Sequence, residues 1–238
     1  MGNPAAVYNA MGIELLSKGQ HVIALNMFKE AAQLIQAAGR NGGRNSFSSC
    51  TSTSTKVSQP TPRTEESDHD TDDSSSTFNT STTRLCRSTT CTTLDSENSF
   101  IFCDLMEIGH FDKRQAHTND AAVVLYNMAL TYHLLNVPGH QRENVKRHAL
   151  SLYEMSYNLA LQDLGDETSS RIIMVTLNNM AQIELELGNL QEAHCCLDDL
   201  KEYIISLEKP STLKIEIERN RLFFNATLLR NLQGTPAA

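Results

Sequence analysis

The side chains that could do acid, base or metal chemistry do not stand in a catalytic spacing in this sequence. Asp198 and Asp199 are adjacent, and Glu184 lies two positions before Glu186. Both carboxylate pairs fit the solvated face of a helix better than the roles of a general acid and base. The histidines form no H-E-x-x-H zinc motif, and the chain has neither a nucleophile elbow nor a phosphate loop. The scattered histidines include His21, His110, His117, His133, His140, His148 and His194. We therefore expect a protein that is not an enzyme and that uses no cofactor.

The cysteines do not form a metal site either. Six are present, and none belongs to a C-x-x-C pair. Cys195 and Cys196 are adjacent on a predicted helix, so their side chains point to different faces and cannot readily share one tetrahedral metal ion. Cys86 and Cys91 have no second pair of ligands nearby. We expect reduced thiols in an intracellular protein, with no metal centre.

Charge and hydropathy exclude several classes of partner. The net charge is -8 and the isoelectric point is about 5.5, which argues against nucleic acid as a partner and against electrostatic attachment to a membrane. No apolar run approaches the roughly 18 to 20 residues that span a bilayer. The N-terminus lacks the basic flank and apolar core of a secretory signal. The expected location is cytoplasmic or nuclear.

Helical spacing of apolar residues predicts an all-α chain whose first hairpin occupies residues 1–38. Asn3 and Pro4 suit the first turn of a helix, because Asn caps the free N–H groups and Pro needs none. Gly19 turns the chain, and a second helix runs to about residue 38, where Gly39 and Gly42 are expected to end it.

A different kind of sequence follows the first hairpin. Residues 39–99 are rich in Ser and Thr and hold almost no large apolar residues, so they cannot bury enough surface to offset their conformational entropy. We interpret them as a disordered insertion. Residues 100–118 contain a short apolar run that begins with Phe100 and ends with Ile108, and we expect an extended segment that packs on the helices.

Residues 119–238 return to helical spacing. Thr118, Asn119 and Asp120 are expected to cap a helix over about 120–136, and further helices are expected over about 143–162, 168–187 and 189–207. A last helix should end near residue 232 and cover the exposed end of the stack, as an array of repeats requires. Its inward residues are expected to be Leu213, Ile217, Phe224 and Leu228.

One pattern of large and small residues occurs three times. Its first halves are Tyr8-x-x-Met11-Gly12-x-x-Leu15, Leu125-x-x-Met128-Ala129-x-x-Tyr132 and Leu177-x-x-Met180-Ala181-x-x-Glu184. Its second halves are Ala24-x-x-x-Phe28, Ala149-x-x-x-Tyr153 and Ala193-x-x-x-Leu197. Residues three and four apart share a helix face, so the small residue of each stripe allows a second helix to approach closely. This pattern resembles the tetratricopeptide repeat, although no repeat has Trp and Glu184 replaces the usual aromatic residue.

The resemblance implies an array of antiparallel helical hairpins with a C-terminal capping helix, and a concave groove lined by the first helix of each hairpin. It places these residues in the groove: Asn9, Ile13, Leu16, Tyr126, Asn127, Leu130, His133, Asn178, Asn179 and Gln182. Asn127 and Asn179 occupy matching places in their repeats. A carboxamide can donate to and accept from a peptide main chain at once, which suits an extended ligand. The alternative, given equal weight, is that Asn127 and Asn179 are exposed or bond to neighbouring residues and bind no ligand.

The expected function is therefore a non-enzymatic protein–protein interaction module, an adaptor or scaffold that binds an extended or helical peptide. Relatives that clamp acidic chaperone tails place Lys and Arg in this groove, whereas the matching positions here are not basic, so we expect a neutral or apolar ligand. Residues 100–108 could dock on the groove in the same chain, either as structure or as a competitor of an outside ligand. The alternatives are a structural subunit of a larger assembly, and a module regulated by phosphorylation of the insertion at sites such as Thr61 and Ser67.

Overall fold

The structure, a computed structural model, describes residues 3–42, 101–108, 116–139, 141–164, 166–207 and 213–232. Within these ranges the chain forms seven α-helices and no strand, which confirms the all-α expectation. The helices are α1 (Pro4–Ser17), α2 (His21–Gly42), α3 (Ala116–Leu134), α4 (Gln141–Ala160), α5 (Glu167–Leu187), α6 (Leu190–Ser206) and α7 (Leu213–Leu232). The predicted insertion lies almost entirely outside the described residues.

The first hairpin begins as expected and ends later. The side chain of Asn3 accepts a hydrogen bond from the Ala5 N–H at 3.1 Å, and Pro4 opens α1. Gly19 turns the chain with a φ of 73°, a value that glycine adopts without the strain of a Cβ. The prediction that α2 ends at residue 38 was wrong, since the helix continues to Gly42. Gly39 keeps a negative φ, and a glycine in that conformation weakens a helix without terminating it.

The helices pack in two layers. Each helix contacts the next one along the chain, so that α1 pairs with α2, α3 with α4, and α5 with α6. The odd-numbered helices α1, α3, α5 and α7 also contact one another in series. They therefore form one continuous face, and the asparagines predicted to line the groove, Asn9, Asn127 and Asn179, lie on these helices.

The repeated pattern occupies the contact between paired helices. Its small residues and the large residues of its second halves are all buried, and nearly all have no exposed surface. They are Gly12, Ala24, Phe28, Ala129, Ala149, Tyr153, Ala181, Ala193 and Leu197. The outer positions of the stripes are less uniform, because Met11 is 45% exposed whereas Leu177 is buried. The small residues thus mark where the helices approach most closely.

The start of α3 differs from the sequence prediction. The helix begins at Ala116 rather than near residue 120, so Asn119 and Asp120 lie inside its first turns and do not cap it. Asn119 instead donates to the carboxylates of Asp163 and Asp166 at 3.1 and 3.2 Å, and Asp120 accepts from Asn3 at 3.3 Å. These side chains join the ends of neighbouring helices, a role that local capping rules do not anticipate.

The last helix presents another face than expected. Ile217 and Phe224 are each 60% exposed and Leu228 is half-buried, so they are not the inward residues; the side chain of Leu213 lies outside the described set. The buried stripe consists of Glu218, Leu222, Asn225, Ala226 and Leu229. It contains the Glu218 carboxylate and the Asn225 amide, which bond to Arg171 and Asn178. Apolar residues alone therefore do not identify this stripe. No helix within the described ranges combines the length and apolar character needed to cross a membrane.

Gly12 and Gly39 offer a matched test of the helix contact. A Cβ added at Gly12 would lie 2.5 Å from the buried Phe28 ring, whereas a Cβ at Gly39 would meet nothing within 4 Å. We expect Gly12→Ala to lower the free energy of unfolding by about 1–3 kcal/mol through overpacking. Gly39→Ala should raise it by up to about 1 kcal/mol, because alanine favours the helix. Urea unfolding measures both, and equal stability of the two variants would contradict the close approach.

Candidate functional site: a main-chain-binding groove

A segment of the chain itself lies on the face formed by the odd-numbered helices. Residues 101–108 include no helical residue, and four of their side chains are almost fully buried: Ile101, Phe102, Met106 and Ile108. Glu107 is exposed. Phe100, the first residue of the predicted run, lies outside the described residues. The segment therefore buries apolar side chains against the array, and its main chain must find hydrogen-bond partners there.

Asn179 on α5 satisfies both main-chain groups of Phe102. Its Oδ1 accepts from the Phe102 N–H at 2.8 Å, and its Nδ2 donates to the Phe102 carbonyl at 3.1 Å. This carboxamide therefore pairs with one residue of the segment much as a neighbouring β-strand would. Asn178 donates to Asn179 Oδ1 at 3.0 Å, and Asn179 Nδ2 also donates to the Tyr153 hydroxyl at 3.1 Å. The Phe102 N–H can only donate, so it determines which end of the Asn179 amide carries the oxygen, and these two further bonds agree with that orientation.

Asn127 on α3 repeats this arrangement at Met106. Its Oδ1 accepts from the Met106 N–H at 3.0 Å, and its Nδ2 donates to the Met106 carbonyl at 2.7 Å. Asn9 on α1 also donates to that carbonyl at 2.9 Å, and its own Oδ1 accepts from Asn127 Nδ2 at 2.9 Å. Three successive odd-numbered helices thus supply one asparagine each. Phe102 and Met106 are four residues apart, which is about 13 Å of extended chain.

A tyrosine hydroxyl supports the chain between these two points. Tyr126 Oη lies 3.1 Å from the Phe102 carbonyl and 3.2 Å from the Asp104 carbonyl, so one O–H serves both acceptors. Burial raises the pKa of Tyr126 well above its usual value, with a smaller contribution from Tyr153. The hydroxyl therefore remains protonated, and remains a donor, at neutral pH.

Two arginines that the sequence reasoning missed contact the same segment. Arg171 on α5 holds Glu218 of α7 through two hydrogen bonds of 2.7 and 2.9 Å, and its Nη2 lies 3.6 Å from Asp104 Oδ2. The guanidinium carbons of Arg171 and Arg221 each lie 5.8 Å from the centre of the Phe102 ring. Arg171 stands about two helical turns before Asn178 and Asn179, so helical spacing could have placed it on the groove face. Arg221 gives no such signal, because its position depends on how α7 packs.

The other predicted groove residues pack in the core or contact other side chains of the array. Ile13 is half-buried, and Leu16 and Leu130 belong to the apolar core between the helices. Gln182 donates to Glu186 at 3.0 Å, and Glu186 also forms an ion pair with Lys146. Burial alone would raise the pKa of Glu186, but the hydrogen bonds from Lys146 and Gln182 outweigh it, so the net shift is downward. This polar cluster continues the groove face beyond Asn179.

His133 lies in this polar cluster in its neutral form. Its ring packs edge-on against Tyr153 at 6.0 Å between centroids, and neither ring nitrogen has a hydrogen-bond partner among the described residues. Burial lowers the pKa of His133 to about 4; Glu186 opposes this shift and Lys146 adds to it. An imidazole that stays neutral at neutral pH and lies in the core contributes packing rather than charge.

The arrangement binds a main chain through side-chain amides and one tyrosine hydroxyl. No group of three or more His, Cys, Asp or Glu residues within the described ranges could hold a metal ion. Burial raises the pKa of Cys196 to about 12, and Glu184 adds to the effect, so that thiol is not a nucleophile at neutral pH. The chemistry of the groove is therefore hydrogen bonding to peptide groups, supplemented by two guanidinium groups.

Removing one donor from the asparagine series tests the main-chain contacts. Asn127→Asp keeps the shape and the acceptor but loses the N–H groups that bind Met106 and Asn9. We expect the segment to be held more weakly by about 1–3 kcal/mol, so that hydrogen exchange of 101–108 accelerates about ten- to hundredfold. The matched control is Asn158→Asp on the exposed surface of α4, which should leave that exchange unchanged. Equal exchange in both variants would show that Asn127 does not hold the segment.

The depressed pKa of His133 predicts acid sensitivity. The unfolded chain takes up a proton near pH 6.5 and the folded chain only near pH 4, so stability from this group is complete above pH 6.5 and is lost as the pH falls towards 4. The loss amounts to about 3 kcal/mol at pH 4. His133→Phe keeps a ring and removes the titration, so its stability should fall less than that of the natural chain over this interval. Urea unfolding at pH 8, 6, 5 and 4 gives the comparison, and parallel curves would refute the assignment.

Known proteins give no relative for this chain. No family model matches it, and neither a curated protein nor a solved structure matches it. The resemblance to tetratricopeptide repeats therefore rests on the spaced residues and remains a prediction, and the contacts in the groove are what point to a function.

Proposed function

We propose that this chain is a non-enzymatic protein–protein interaction module of the tetratricopeptide type, whose groove binds an extended peptide. The observation that carries the proposal is the pairing of Asn179 with both main-chain groups of Phe102 and of Asn127 with both main-chain groups of Met106. Every non-proline residue has these two groups, so the same contacts are available to a peptide from another protein. The chain's own residues 101–108 are the resident ligand that such a peptide replaces.

Replacement requires the partner to overcome the advantage of tethering. Residues 101–108 belong to the same chain as the groove, and a tethered ligand acts at an effective concentration in the millimolar range when its linker is short. Residues 43–100 form a long linker on one side, but only residues 109–115 join the segment to α3, and this short tether sets the effective concentration. A partner must therefore bind tightly, and any change that weakens the resident segment favours the partner.

A second candidate function is a structural subunit of a larger assembly, in which the segment is permanent. Apolar side chains are exposed at both ends of the array: Val7, Met11, Val22 and Ile23 on the first hairpin, and Ile217, Phe223 and Phe224 on α7. Neighbouring subunits could cover them. The regulatory alternative depends on Thr61 and Ser67, which lie outside the described residues, so it stays a prediction from the sequence.

A peptide added in trans separates the first two functions. The probe is a fluorescent peptide of residues 99–110 with Cys103→Ser, and the receptor is the full chain with Phe102→Ala and Met106→Ala, called here the released variant. We expect the peptide to bind the released variant at least tenfold more tightly than the natural chain, because its own segment competes less. The measurement is fluorescence anisotropy.

The controls decide whether binding occurs in the groove. Asn179→Asp in the released variant should reduce peptide affinity about tenfold or more, and a scrambled peptide should not bind. Circular dichroism reports whether the released variant is folded, and Met106→Ala alone provides a milder substitute if it is not. A folded receptor that fails to bind the peptide would support the structural subunit instead.

A further inference from the structure

We propose that Arg171 and Arg221 make the groove selective for an extended peptide in which an aromatic residue is followed two positions later by a carboxylate. This inference rests on the proposed function. The partner is thus defined by its chemistry as a segment of the form aromatic-x-acidic-x-apolar. The resident segment has this form in Phe102, Asp104 and Met106.

The main-chain contacts cannot provide this selectivity. Asn9, Asn127 and Asn179 bind N–H and carbonyl groups that almost every residue possesses, so they fix register and direction but do not distinguish side chains. Selectivity must come from contacts that depend on the identity of a side chain. Arg171 and Arg221 make contacts of that kind.

Two cations lie near the ring of Phe102, of which Arg171 is mostly buried and Arg221 is exposed. Its side chain is 2% exposed, and the guanidinium carbons of Arg171 and Arg221 are each 5.8 Å from its ring centre. An aromatic ring attracts a cation through its quadrupole, and the attraction grows when water is excluded. An aliphatic side chain of similar volume would fill the same space without this attraction, so the two arginines favour an aromatic residue.

The carboxylate position follows from the geometry of an extended chain. Residues two apart point to the same side of such a chain, and Phe102 and Asp104 both contact Arg171. The Arg171 and Asp104 side chains are only 15% and 23% exposed, so solvent screens their attraction less than on an open surface. Two carboxylates contact the Arg171 guanidinium, Glu218 and Asp104. With Arg221 close by, these two negative charges face two positive charges.

Arg171 is positioned by the fold and does not depend on the segment for its position. Glu218 of α7 holds it through two parallel hydrogen bonds, and Glu218 itself is 7% exposed. Two-point pairing with a carboxylate fixes the plane of a guanidinium group. When a partner replaces the resident segment, the cation is therefore already aimed at the position of the incoming ring and carboxylate, and its ordering has no entropic cost at that moment.

The first experiment compares peptides on one receptor, the released variant. The parent peptide of residues 99–110 is compared with versions that carry Asp104→Asn, Phe102→Leu or Glu107→Gln. Glu107 is exposed in the resident segment, so the last peptide is the matched control for loss of one negative charge. We expect Asp104→Asn and Phe102→Leu each to weaken binding about three- to tenfold, and Glu107→Gln to change it less than twofold.

The second experiment makes the same three substitutions in the full chain and needs no added peptide. Hydrogen exchange of the Phe102 and Met106 amides, which bond to Asn179 and Asn127, reports how firmly the resident segment is held. Asp104→Asn and Phe102→Leu should accelerate exchange about three- to tenfold, and Glu107→Gln should not.

The two experiments distinguish the two proposals. If peptides bind in trans but the Asp104→Asn and Phe102→Leu versions bind as well as the parent, the groove binds peptides without this selectivity, and the inference is overturned while the function stands. A second outcome is that no peptide binds, but exchange depends on Asp104 and Phe102 and not on Glu107. The arginines then contact the chain's own segment only, and the proposed partner is overturned. Equal exchange in all three variants of the full chain also overturns the role of the arginines.

Discussion

A single kind of hydrogen bond makes the arrangement possible, the pairing of an asparagine carboxamide with the N–H and carbonyl of one peptide residue. A non-helical segment can be buried against a helical face only if its main-chain groups find partners there, since an unsatisfied buried peptide group is costly. The helices cannot supply them from their own backbones, which are already bonded internally. Asn9, Asn127 and Asn179 supply them from side chains instead, on three successive odd-numbered helices.

The remainder of the fold serves to keep these amides in register. Small residues such as Gly12 and Ala129 let paired helices approach closely, and large residues such as Phe28 fill the space that remains. The odd-numbered helices thereby hold Asn9 and Asn127 at Met106, and Asn179 at Phe102 four residues earlier in the segment. The last helix takes part as well, since Glu218 on α7 fixes Arg171 on α5 beside the segment. Packing in the core and recognition in the groove are therefore parts of one arrangement.

Much of this could be predicted from the sequence, because helix faces follow simple spacing. Three- and four-residue spacing predicts the seven helices and the small residues at their contacts. The resemblance to tetratricopeptide repeats is what predicts the asparagines of the groove face. The predictions are wrong where polar side chains bond between helices in the core. Asn119 and Asp120 look like caps but bond to other helices, and the buried stripe of α7 contains Glu218. Arg171 was missed for the same reason, since a charged residue on a helix is usually a surface residue.

The buried segment is synthesised well before one of its hydrogen-bond partners. Residues 101–108 are synthesised before α3 and α5, yet Phe102 bonds to Asn179, 77 residues later. When this apolar stretch is synthesised, Asn9 is the only one of the three asparagines already in the chain. The Phe102 main chain therefore lacks its Asn179 partner until α5 has been synthesised, so the apolar segment can be buried completely only after that helix has packed on α3.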